Sequence, residues 1–188
     1  MLRIALTGGI GTGKTYLARI FSSMQFPVYN ADKKAKDFYQ NPDVKAKLKE
    51  VFGEKVFSGP DLDLGKISRL IFSDINSLNI LNGIIHPLVI DDFELWAISM
   101  NSEVVIMESA IVYEAGLDRC FDLILVADSP LEIRMKRLKA RDPHLSEKEI
   151  LQRIGTQMEQ TEKCSLADII VINDRDDEQY LSYRIPLK

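Results

Sequence analysis

Cysteine is scarce in this chain, and long runs of any one residue class are missing. Cys120 and Cys164 stand far apart, with no C-x-x-C pair and no Cys/His cluster around them. A disulfide framework and a structural zinc site are thereby disfavoured, and a reducing cytoplasm suits the composition. No apolar stretch approaches the length of a membrane span, and strand-like sequence begins at Arg3, leaving no room for a secretory leader ahead of it. Basic runs are lacking as well. The 24 Lys and Arg are outnumbered by 28 Asp and Glu, for a net charge of −4, so neither nucleic acid nor an anionic membrane surface is the expected partner, and no obligate protein partner is implied. Internal repeats and low-complexity linkers are absent too. What remains is 188 residues at 46% hydrophobic content, enough for one substantial core with a subdomain inserted in it.

Against that background one stretch stands out, Gly8-Gly9-Ile10-Gly11-Thr12-Gly13-Lys14-Thr15, a complete G-x-x-x-x-G-K-S/T phosphate-binding loop of the Walker A type. Its glycines let the backbone turn tightly enough for successive N–H groups to point at one phosphate chain. Lys14 supplies a point charge for the β- and γ-phosphates, and the Thr15 hydroxyl is placed to ligate Mg²⁺. Arg3-Ile4-Ala5-Leu6-Thr7 before the loop reads as a strand. After it, Leu17, Ile20, Phe21 and Met24 recur at i, i+3, i+4 and i+7, the buried face of a helix whose N-terminus adds its positive end to the site.

Further along, Phe26-Pro27-Val28-Tyr29 reads as a second strand leading into Asn30-Ala31-Asp32. Asp32 therefore lies where open α/β sheets hold ligands, as a base or orienter for a hydroxyl, or else serves as the N-cap of the next helix. Residues 33–100 are too long for one crossover and read as a helical subdomain, its last helix opening at His86-Pro87 and burying Val89, Phe93, Trp96, Ala97 and Met100. His86 by itself is a structural histidine as readily as a ligand. Three more strands follow: one ending in Glu108, where a Mg²⁺-organising acid belongs in a phosphate-loop protein, then Phe121–Ala127 and Ala167–Ile172. Five strands alternating with helices predict an α/β fold, a three-layer α/β/α arrangement around a mostly parallel sheet. Between the fourth and fifth strands, Arg134, Arg137 and Arg141 share a helical face. Asp142-Pro143 ends that helix, Ser146 to Glu149 forms a capping box, and Arg153 with Gln157 lie on one side of the next helix. Such a helix pair is either a lid that brings guanidinium groups over a phosphate or a solvated basic face.

A phosphate loop specifies a nucleoside triphosphate but not its chemistry. A GTPase would need N-K-x-D and D-x-x-G sequences, and neither is present. A small-molecule kinase uses every feature above, whereas a regulatory nucleotide-binding module would leave the helical insert without a task.

From Leu6 through Lys14, Ala31-Asp32, Ile71-Phe72-Ser73, Leu81 through Pro87, Tyr113 through Leu117, Arg137, Arg141, Arg153, Gln157 and Ala167-Asp168 to Asn173, the sequence resembles the dephospho-CoA kinase family. The resemblance implies a single phosphate-loop kinase domain with core 1–32, 101–129 and 159–188, substrate subdomain 33–100 and lid 130–158. It implies ATP with Mg²⁺, and phosphorylation of the ribose 3′-hydroxyl of dephospho-CoA in the cytoplasm. Carried over by position, it assigns catalysis to Asp32, Lys14, Arg137 and Arg141, and nucleotide binding to Gly9, Gly11, Thr12, Gly13, Lys14, Thr15, Tyr16 and Asn173. Substrate contacts fall to Asp32, His86 and Arg69, and metal ligation to Thr15 and Glu108. Four positions depart from the family pattern. Tyr16 replaces a small hydroxyl residue, Glu108 a shorter aspartate, and Arg134 a frequent glutamine. Asn30 replaces a frequent aspartate, which leaves Asp32 as the one strong base candidate.

Overall fold

The computed structural model describes residues 1–174 and 182–186, with side chains described for all of these except Phe72 and Ser73. Its internal contacts divide the chain into two compact units, Met1–Asn30 with Ala97–Lys188, and Ala31–Trp96.

In the first unit β1 (Leu2–Thr7) runs parallel between β5 (Val104–Glu108) and β6 (Leu123–Asp128). Outside these lie β2 (Val28–Asn30) beside β5, and β7 (Ile169–Ile172) beside β6, also parallel. The sheet has six strands, one more than the five read from sequence. The addition is β8 (Ser182–Arg184), which pairs antiparallel with β7 at the edge. Three exposed residues carry no hydrophobic alternation, so no sequence pattern announced it.

Both faces of the sheet are covered, which is why its central strands read as continuous apolar runs. On one face α1 (Lys14–Ser23) packs Leu17 and Ala18 on Leu6, Ile106, Leu125 and Ala127. On the other, Ala5, Ile124, Val126 and Ile170 meet Val112, Ala167 and Cys164 of α8 (Gln160–Leu166). Each large aliphatic side chain buried this way contributes roughly 1.5–3 kcal/mol. Met24, expected on the buried face of α1, is its C-cap and 59% exposed, because the helix ends at Ser23. Two further helices, α6 (Leu131–Arg141) and α7 (Glu147–Ile154), enclose a small core of Leu138, Leu145 and Ile150. The Ser146–Glu149 capping box forms as read, both reciprocal bonds being present.

The second unit is helical: α2 (Ala31–Phe38), α3 (Pro42–Phe52), the hairpin β3 (Phe57–Ser58) and β4 (Asp61–Leu62), α4 (Leu64–Ser73), and α5 (Ile75–Ser99), whose end from Ala97 onward belongs to the first unit. Asn41 caps α3 by accepting from the Asp43 and Val44 N–H groups, and Asp63 caps α4 through the Lys66 N–H. Ser58-Gly59-Pro60-Asp61 forms the hairpin turn, with Ser58 and Asp61 paired across it. One expectation fails here. His86-Pro87 does not open a helix; Pro87 lies inside the 25-residue α5, where it removes one backbone donor without ending the helix. Val89, Phe93 and Ala97 are buried as expected, whereas Met100 lies beyond the helix end and is exposed.

Candidate active site

The loop follows β1 at the point where successive strands diverge to either side of it, the crevice in which open α/β sheets hold ligands. Gly13 holds a left-handed conformation (φ 92°) as the N-cap of α1, and the Leu17 N–H donates to its carbonyl at 3.1 Å. Glycine is required at this position twice over: φ is positive, and a Cβ would strike the Asn173 amide. Thr12 is fully buried and braces the turn from within, its Oγ1 donating to the Gly9 carbonyl at 2.8 Å. The buried Lys14 Nζ bends back over the same loop, donating to the carbonyls of Gly8 at 2.8 Å and Gly9 at 3.4 Å.

Strand register brings together the two residues expected to hold metal. Leu6, Glu108 and Asn30 are level on adjacent strands, so the Glu108 carboxylate emerges beside the start of α1. Thr15 Oγ1 donates to Glu108 Oε1 at 2.7 Å and Asn30 Nδ2 to Oε2 at 2.8 Å. A buried carboxylate and a hydroxyl form a set of hard oxygen donors that fits Mg²⁺. Asn30 thereby orients the acid.

The loop is held from outside by α6, α8 and the segment between α7 and α8. Arg134 is 5% exposed and donates from Nε to the Ile10 carbonyl at 2.9 Å. Burial lowers its pKa below the usual guanidinium value, opposed by the nearby carboxylates of Asp128 and Glu159. A side chain at Gly9 would collide with the Arg134 guanidinium, and one at Gly11 would press on the Arg134 backbone and Cβ at 3.0–3.1 Å. These two glycines therefore serve the approach of α6 to the loop. Gln157 Oε1 accepts the Ile10 N–H at 2.7 Å, and Gln160 Oε1 accepts the Gly9 N–H at 2.9 Å while its Nε2 donates to the Ala127 carbonyl and Asp128. Arg137 donates to the carbonyl and Oδ1 of Asn173 at 3.1 and 3.2 Å and to Ser129 Oγ at 3.3 Å. Asn173 Nδ2 in turn reaches the Thr12 carbonyl at 2.9 Å.

Not all the expected residues join this network. Tyr16 is half-buried and packs against the core beneath α1. Arg141, at the far end of α6, is exposed and pairs with Asp142 at 2.9 Å, and Arg153 approaches the same carboxylate at 4.0 Å. Arg153 and Gln157 do not share a helical face, because α7 ends at Ile154. In the helical unit Asp32 is exposed in the first turn of α2, inside the helix and not its N-cap. Arg69 is exposed on α4, and the half-buried His86 has its pKa lowered by burial. Sequence reasoning missed Gln160, three residues past Gln157. It also missed the fully buried Lys163, whose Nζ bonds Glu114 and the Ala110 carbonyl, both at 2.7 Å, and so ties α8 to the segment after Glu108.

Comparison with known proteins places this geometry in a family. The dephospho-CoA kinase family profile matches residues 2–179. The chain is 36% identical over 175 residues to a dephospho-CoA kinase of Bacteroides fragilis, covering 92% of this chain and 85% of that one. It is 32% identical over 173 residues to one of Fusobacterium nucleatum, covering 91% and 89%. Among solved structures, a Thermus thermophilus protein superposes with a TM-score of 0.84 at 31% identity over 93% of this chain and 90% of that one. A dephospho-CoA kinase from Campylobacter jejuni, at 22% identity and a TM-score of 0.64 over 93% and 89%, shares the fold. The chain belongs to the dephospho-CoA kinase family.

Proposed function

We propose that this protein transfers the γ-phosphoryl group of ATP to the ribose 3′-hydroxyl of dephospho-CoA, yielding coenzyme A and ADP. What carries the reading is a phosphate loop whose Thr15 is bonded to Glu108 on the neighbouring strand end, in a chain of this family. ATP lies along residues Gly11 to Tyr16, with Asn173 beside the loop and α1 presenting its N-terminus to the phosphates. Lys14 exchanges the neutral carbonyls of Gly8 and Gly9 for charged phosphate oxygens, a gain in hydrogen-bond strength. Thr15 and Glu108 hold Mg²⁺, which supplies charge neutralisation for the phosphoryl oxygens.

Residues 33–100 hold the acceptor, with Arg69 and His86 as contacts. Asp32 accepts the proton of the 3′-hydroxyl as its oxygen bonds to phosphorus, and the bond from phosphorus to the β-phosphate oxygen breaks. Residues 130–158 form the lid, with Arg137 and Arg141 compensating charge in the transition state and the closed lid keeping water from the phosphoryl group. Such an enzyme belongs in the cytoplasm.

The decisive assay is ADP formation by purified protein with MgATP, comparing dephospho-CoA with adenosine, nucleoside monophosphates and no acceptor. ADP released only with dephospho-CoA, and a product of the mass of coenzyme A, is the expected result. Stimulation by another acceptor discards the substrate but keeps the mechanism; turnover indifferent to every acceptor discards the kinase.

A further inference from the structure

One loop residue belongs to two structures at once. The backbone of Ile10 is bonded at both its polar groups to the two ends of the α6–α7 segment: its carbonyl accepts from Arg134 Nε at 2.9 Å, and its N–H donates to Gln157 Oε1 at 2.7 Å. Its side chain, meanwhile, packs against the core that α6 and α7 enclose, with Leu138, Leu145 and Ile150. The segment meets the loop at Arg134 and Arg137 near its start and again at Gln157 at its end, and Ile10 is the loop residue bonded from both ends. Gly9 and Gly11, on either side of Ile10, lack side chains where α6 comes close.

From this arrangement we propose that Ile10 is a positioning residue through which the α6–α7 core sets the shape of the phosphate loop. Nucleotide affinity then depends on side chains that touch no phosphate. The proposal deepens the kinase reading above and rests on it for the nucleotide. Packed interiors rearrange between discrete states and deform little. A loosened α6–α7 core or a lost Gln157 bond therefore frees Ile10, and with it the donors of the residues that follow.

Two readouts test this, one independent of nucleotide. In the nucleotide-free protein, exchange of the Ile10 amide hydrogen should quicken about tenfold in Gln157→Leu, since local opening loses its closing bond. Gln157→Glu keeps an acceptor oxygen in place and should restore the slow rate. In calorimetric titration with MgADP, Gln157→Leu and Ile10→Ala should each bind about tenfold more weakly, within the usual range of coupling between sites, and Gln157→Glu should bind like wild type. Should Ile10→Ala not fold, Gln157→Leu, at a half-buried position, carries the test alone. Unchanged exchange and unchanged MgADP affinity in a folded Gln157→Leu would overturn the proposal. Faster exchange in a protein whose wild type binds no MgADP would uphold the positioning and sink the kinase reading instead.

Discussion

The two units of this protein present their candidate residues in opposite ways. Around the phosphate loop nearly every group is bonded to another: Thr15 and Asn30 to Glu108, Gln157 and Gln160 to the loop amides, Arg137 to Asn173 and Asn173 to Thr12. In the helical unit Asp32 and Arg69 lie exposed on helix surfaces. Groups that hold one another in place meet the condition on which preorganised electrostatic stabilisation depends. Side chains on exposed helix faces suit an acceptor that must enter and leave. Binding of nucleotide and the proton transfer should therefore separate by mutation.

Asp32→Asn is the strongest test of that separation. In the general-base role proposed for it, Asp32 would be worth about 10²–10⁴ in turnover, and its loss should leave MgADP affinity unchanged in titration. Turnover within a few-fold of wild type would remove Asp32 from the chemistry, and a matching loss of nucleotide binding would erase the division between the units. Lys14→Ala should fail on both counts, lowering kcat by about 10²–10³, the usual loss for one preorganised donor, and weakening MgADP as well. Full activity without Lys14 would mean that the loop does not act on the transferring group.

The same contrast explains what could be read from sequence. The loop and the bonded pair of Thr15 and Glu108 were legible because glycine spacing and an acid at a strand's end are local patterns, and parallel register then places Glu108 beside Asn30. The arginines on α6 were legible only as a face. Arg134 and Arg141 are seven residues apart, about 10 Å along the axis at 1.5 Å per residue, and the loop is met by Arg134 and Arg137. The Arg134 guanidinium is buried against Ile10 and that of Arg141 is left with Asp142. Periodicity reports which side of a helix a residue occupies and says nothing of what lies along its length. Pro87 misled for a related reason: proline marks the first turn of a helix more often than its middle, but packing of Ile84, Ile85, Val89 and Phe93 carries α5 through it.

The smallest expected effect probes the one acceptor-side candidate whose protonation is set by packing. Burial disfavours the charged form of His86 and lowers its pKa in the folded protein, so below the unfolded-state value of about 6.5 the unfolded chain binds the proton more readily. Stability from this group is complete above that pH and is lost as pH falls through it toward the lower folded value. Wild type should therefore lose more thermal stability than His86→Gln between about pH 7.5 and pH 5.5. The difference in Tm should be smaller than the 2–4 °C that about 1 kcal/mol produces in a chain of this size. Calorimetric melts of the two proteins across that range decide it. Parallel pH dependence would mean that the imidazole reaches water and can take up its proton in place. His86 would then join Asp32 and Arg69 as a solvent-facing group, and the contrast between the two units would sharpen; a steeper loss in wild type would mark one position in the helical unit where packing already fixes the state a substrate meets.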